Sequence, residues 1–203
     1  VAIATGSDGE VLTSAGAGAP PAFEAAAGGG AWTMLASGTQ VEDDDASLTV
    51  SGLDATYDTY AIVIADMVPV TDSAVFYMRL GDSGGLDSGA SDYTFHTQKI
   101  ATSSGSYASN VHTGTTQMEL STGIGNQAGE GFGCVAYLHV PGDGTMKPNV
   151  SWRWAGYFGS GVLVGGAGVG NRDGVIAVTQ VSIFFSSGNI STGRFSVYGI
   201  SHT

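Results

Sequence analysis

The chain has 203 residues, 42% of them hydrophobic and 12% charged, with 18 acidic against 6 basic side chains and a formal net charge of −12. That composition is globular rather than charge-disordered, and the length is enough to bury a core. The acidic excess excludes a nucleic-acid-binding role, which needs clustered Lys and Arg to displace counterions, and disfavours anionic membranes.

Glycine is the outlier at 33 residues, about twice the average share. The glycines follow no G-X-Y period, so they point to tight turns between short strands rather than to collagen. Cys134 is the single cysteine, so no intrachain disulfide forms and stability comes from packing or assembly. No signal-peptide pattern opens the chain, which begins without Met and reads as processed or incomplete. The most apolar stretch, Val175–Phe185, is short and interrupted by Thr179, Gln180 and Ser182, so no membrane span is expected.

In chain order, residues 1–30 stand apart. They hold one strand-like piece, Glu10–Ser14, then small residues, Pro20-Pro21 and a triple glycine. An Ala-rich turn near Phe23–Ala27 is the only hint of helix. This segment buries too little apolar surface to fold alone. An adaptor that orders against neighbours and a loose tail are both open readings. Residues 31–203 alternate strand and turn. "SLTVSGL" places Leu48 and Val50 on one face, and "TYAIVIADMV" is apolar on both faces, a central buried strand closed by Pro69. "AVFYMRL" sets Phe76, Met78 and Leu80 against Val75, Tyr77 and Arg79. "TTQMELS", "GCVAYLHV", "VSWRWAGYF", "VIAVTQVSIFF" and "RFSVYGIS" follow, separated by "PGDG", "GNRDG" and "SSGN". About eight strands with such turns predict an all-β, two-sheet antiparallel β-sandwich, jelly-roll-like, preceded by the short adaptor.

Several motifs invite chemistry. "GDSGG" (residues 81–85) matches the surroundings of the nucleophile in chymotrypsin-like proteases. A Ser-His-Asp triad there needs His and Asp before Ser in the chain. All four histidines, His96, His112, His139 and His202, follow Ser83, so Ser83 reads as a turn residue. "VGGAGVGNRDG" (residues 164–174) fails the dinucleotide fingerprint, because the third glycine position after Gly166 and Gly168 is Asn171 and no helix follows. It reads as a loop. "VEDDDAS" (residues 41–47) with Asp82, Asp87 and Asp92 offers oxygen ligands for calcium, but neither segment has EF-hand spacing, and solvated acidic turns are the preferred reading. His139 reads as a satisfied strand residue, and no carboxylate pair for glycoside hydrolysis stands out. No cofactor, catalytic residue or metal site is expected.

"SWRWAGYF" (residues 151–158) is the one aromatic concentration. Trp152 and Trp154 share a strand face, and with Tyr157 they form the candidate ligand-binding set, a platform on which sugars lay their apolar ring faces. The alternative is that both tryptophans are core residues of the sandwich, and this is the preferred reading.

Two stretches carry a family likeness. "GSDGEVLTSAGAGAPPAFE" (residues 6–24) resembles the G-x-x-G-x-V-L-T-S-x-G-x-G-x-P-P segment of bacteriophage tail fibres and other tail-associated proteins. Gly6, Gly9, Val11, Leu12, Thr13, Ser14, Gly16, Gly18, Pro20 and Pro21 match, and Phe23 fits the aromatic that follows. Residues 58–95 are similar to β-sandwich domains of phage structural proteins, in which a Y-x-I-V-I strand precedes an L-R-L-G strand, a Gly/Asp loop and a Tyr. "RFSVYGIS" looks like their closing strand. The resemblance implies a virion component on tail or capsid surface: a fibre, spike or tail-tip protein, most often a homotrimer, with no conserved catalytic residues. The partners it implies are other virion proteins through residues 1–30, and host surface glycans. Rival readings are a purely architectural fibre or decoration protein, a free carbohydrate-binding module or lectin, and a hydrolase.

Overall fold

The structure, a computed structural model, describes residues 10–14, 20–25, 31–41, 44–103, 107–139 and 141–201, with Ser7, Ala17 and Gly105. All regular structure among them is β. Near the start, β1 (Glu10–Thr13) and β2 (Ala22–Ala25) form a two-stranded antiparallel sheet of their own. The Ala-rich stretch expected to turn as a helix is therefore β2 as far as Ala25, and residues 26–30 lie outside the described part.

The rest is a sandwich of two antiparallel sheets, as the alternating pattern predicts. β3 (Trp32–Val41), β4 (Leu48–Ser51), β5 (Thr59–Pro69), β6 (Phe76–Asp82) and β7 (Gly85–Leu86) come first. β8 (Tyr93–Ala101), β9 (Tyr107–Thr115), β10 (Met118–Glu119) and β11 (Phe132–His139) follow. β12 (Asn149–Tyr157), β13 (Leu163–Arg172), β14 (Gln180–Phe185) and β15 (Ile190–Ile200) complete the chain. The large sheet runs β3-β15-β5-β11-β12-β13-β8-β9, and the small one β10-β6-β14-β4 with β7 on β6. The chain crosses between the sheets repeatedly, and β11-β12-β13 is a simple meander.

Period-two alternation sends one face of each sheet into a shared core. From the small sheet come Phe76, Met78, Leu80, Val181, Ile183 and Phe185; from the large come Ile62, Ile64, Phe132, Leu138, Trp152 and Phe195, all buried. Phe76 packs on Phe132 and Phe185 with ring centroids 4.8 and 5.0 Å apart. Each such side chain contributes about 1.5–3 kcal/mol by leaving water. β5 sits between β15 and β11, the central position its two-sided apolar pattern requires.

The fold departs from the sequence pattern in two places. The glycine run 164–174 is not a loop: residues 163–172 are β13, paired throughout with β12 and β8. Its inward positions Gly166, Gly168 and Gly170 stand opposite Trp154, Trp152 and Val150. A Cβ on Gly168 would lie 2.5 Å from Cε2 of Trp152, and one on Gly170 2.8 Å from Sδ of Met118. The glycines make room for the indoles. In the apolar run 175–185 only Gln180–Phe185 is strand.

Charge follows the same architecture. Four of the six cations but one of the eighteen acids, Asp66, lie in the eight strands of the large sheet. Those strands carry a formal +3 and the rest of the chain −15.

Candidate functional site

The pentapeptide at 81–85 closes the β6–β7 hairpin. Gly81 pairs with Leu86 and Asp82 with Gly85, leaving Ser83 and Gly84 as the turn. The Gly84 N–H donates to Asp82 Oδ1 at 2.7 Å, and Gly85 has φ +122°, which favours glycine. Ser83 is exposed. The described histidines are engaged elsewhere: His96 Nε2 is 2.7 Å from Ser109 Oγ, His139 Nε2 is 3.3 Å from Ser151 Oγ, and His112 stacks on Phe95. His202 lies outside the described residues.

The acids of the 82–92 loop anchor it. Arg172 Nε is 2.9 Å from Asp87 Oδ2 and its Nη2 3.3 Å from Asp92 Oδ1. Beneath them the Tyr93 hydroxyl accepts from the Leu80 N–H at 2.8 Å and faces the Leu80 carbonyl at 2.9 Å. Glu42 and Asp43 lie outside the described residues. Among those described, no three His, Cys, Asp or Glu side chains are placed to hold a metal ion.

Of the aromatic candidates, Trp152 and Trp154 are 2% and 6% exposed. Trp152 donates from Nε1 to the Leu120 carbonyl at 3.1 Å, whereas Trp154 Nε1 is buried without a partner. With their ring faces packed in the core, these two indoles offer nothing to a sugar. Tyr157, three residues on, points outward and is 37% exposed.

Tyr157 lines a cleft of about 520 Å³ at one end of the large sheet, with Asp66, Glu130, Leu163 and Thr192. A bulge opens it. Asp66 takes φ +53°, which Asp tolerates better than most residues, and the β5–β11 register slips between Phe132 and Cys134. The bulge aims a carboxylate out of a strand that is otherwise apolar. Opposite, Glu130 sits in the Gly129–Gly131 turn, where its Oε2 accepts from the Gln127 N–H at 2.9 Å. Gly156 keeps the floor flat, since a Cβ there would be 2.7 Å from the Gly131 carbonyl oxygen. Arg194 Nε is 4.0 Å from Asp66 Oδ2, with both side chains largely exposed, so water screens that pair and leaves the carboxylate available. An exposed tyrosine ring beside carboxylates and a threonine hydroxyl suits stacking on a sugar and accepting from its hydroxyls. Because both charged lining groups are acids, the cleft repels anionic ligands.

Of these residues, only Tyr157 belongs to the aromatic cluster that the sequence singles out. The signal for Asp66 was available as a lone charge inside "AIVIADMV", the mark of a bulge in a buried strand. Glu130, Leu163 and Thr192 come from separate segments that only the sheet order brings together. Comparison with protein-family models, curated proteins and solved structures returned no match.

Proposed function

We propose that this chain is a structural protein of a bacteriophage particle, of the tail-fibre or spike type, that assembles as a homotrimer and holds host-surface glycans without cleaving them. The observation that carries the reading is the β1–β2 hairpin. The segment that resembles phage tail proteins pairs Leu12 with Phe23 but forms a sheet separate from the sandwich. Val11, Leu12 and Phe23 are 45%, 52% and 38% exposed. A lone two-stranded hairpin with an apolar surface is marginal in water and is stabilised by a partner. Copies of itself around an axis, or another particle protein, supply that partner. The cleft at Tyr157 then faces the host as the glycan contact. An architectural role without receptor contact is the second reading, favoured by the burial of Trp152 and Trp154, two of the chain's three tryptophans.

Light scattering on the purified chain tests this reading. The expected mass is about 61 kDa, three times 20.4 kDa. A concentration-independent 20.4 kDa monomer argues against it.

A further inference from the structure

We infer that the outward face of the large sheet, at the end away from the Tyr157 cleft, is the surface on which a second copy of this chain docks. The inference deepens the homo-oligomeric reading above and rests on it.

The face is defined by register. Tyr198, Ala61, Tyr137, Ser151 and Val169 lie side by side across β15, β5, β11, β12 and β13, and His96 and Val111 continue the row onto β8 and β9. At one side Trp32 contacts Tyr198 and Tyr137, with ring centroids 5.9 and 6.3 Å away. At the other, Val169 and Val111 are 55% and 69% exposed. A groove of about 560 Å³ runs between them, lined by Val135, Tyr137, Arg153, Ala167 and Val169.

Charge is what selects a second copy as the occupant. Apart from Asp66 at the bulge, which Arg194 offsets at the cleft end, no acid stands on any strand of this sheet, while Arg153 occupies an outward position in the groove. The rest of the same chain carries −15. A patch that is apolar at its centre and positive at Arg153 complements the acidic remainder of a neighbouring copy. Contact between two unlike patches is heterologous, the geometry that closes rings such as trimers. The area suffices as well. Leaving aside the end that carries the Tyr157 cleft, seven spacings of about 4.8 Å by about 20 Å of strand give about 670 Å² of flat sheet, which the relief of its projecting side chains brings to the roughly 800 Å² per partner of a stable interface.

Sedimentation velocity on wild type, Val169→Asp, Arg153→Glu and the control Val175→Asp tests the assignment, with circular dichroism to check folding. Val175 is also exposed, at 48%, but lies outside the sheet. The expected result is that wild type and the control keep the oligomer mass. The two face variants, still folded, should shift at least tenfold toward monomer, and added salt should shift wild type the same way. Face variants that keep the oligomer mass overturn the assignment while leaving the trimer intact. A monomeric wild type overturns both. If either face variant fails to fold, Val111→Asp on the edge strand replaces it and is judged by the same criteria.

Discussion

Gly168 stands directly opposite Trp152 in the β12–β13 ladder, and a methyl group placed on it would lie 2.5 Å from Cε2 of the indole. The pair explains how a run of small residues becomes an inner strand of a sandwich. β12 supplies the volume and β13 supplies the space, so the two strands are complementary in size. Gly168→Ala is expected to destabilise the fold by about 1–3 kcal/mol or more, the usual cost of overpacking. Gly165→Ala faces outward, and its nearest new contact, the Trp154 carbonyl oxygen, is 3.3 Å away. It should be within about 0.5 kcal/mol of neutral. Urea unfolding of both variants makes the comparison.

The two buried tryptophans should respond differently to loss of the indole N–H. Trp152→Phe leaves the Leu120 carbonyl without its donor, at a cost of about 1–3 kcal/mol beyond the lost packing. Trp154→Phe removes a donor that has no partner and so escapes that part. Chemical denaturation should rank Trp154→Phe as the milder variant by about 1 kcal/mol or more; equal losses would contradict the hydrogen-bond assignment.

Glu119 gives a pH signature. Burial raises its carboxyl above the ordinary 4.5, against the opposing pull of His112 and Lys99. A raised folded value means that the protonated form is favoured by the fold. Its contribution is present below pH 4.5 and is lost as pH rises through the folded value. The ionised carboxylate therefore costs stability at neutral pH. Glu119→Gln should raise the urea midpoint at pH 7 and leave it nearly unchanged at pH 4.

Tyr93 works at the other end of the scale. Burial pushes its hydroxyl well above 10, and the Leu80 hydrogen bond only partly opposes this. The contribution is fully present below pH 10 and is lost as pH rises beyond it. Tyr60 and Tyr77 shift in the same direction, so the wild-type midpoint should fall above pH 10. Tyr93→Phe should flatten that fall and cost about 1–3 kcal/mol at pH 7, where the Leu80 backbone loses its partner.

Much of the sandwich was legible because alternation is a local signal. Phe76, Met78 and Leu80 share the buried face the spacing assigns them. β13 was not legible, because glycine has no hydropathy pattern and a run of it resembles a loop; only the neighbouring indoles reveal why the residues are small. The β8–β9 hairpin was obscured in the same way, since "YASNVHTGT" is polar and exposed along an edge. The site divided along the same line. "SWRWAGYF" was found as an aromatic cluster, but the pleat sends its tryptophans inward and Tyr157 outward. Asp66, Glu130 and Thr192 meet through sheet order, which no local pattern encodes.

Attachment to host glycans without cleavage is checked by measuring binding of the intact chain to arrayed bacterial surface polysaccharides while assaying for released fragments. The predicted result is salt-tolerant binding to neutral polysaccharides, lost at least tenfold in Tyr157→Ala with folding unchanged, and no new reducing ends. Fragment release, or binding that Tyr157→Ala leaves untouched, would contradict it.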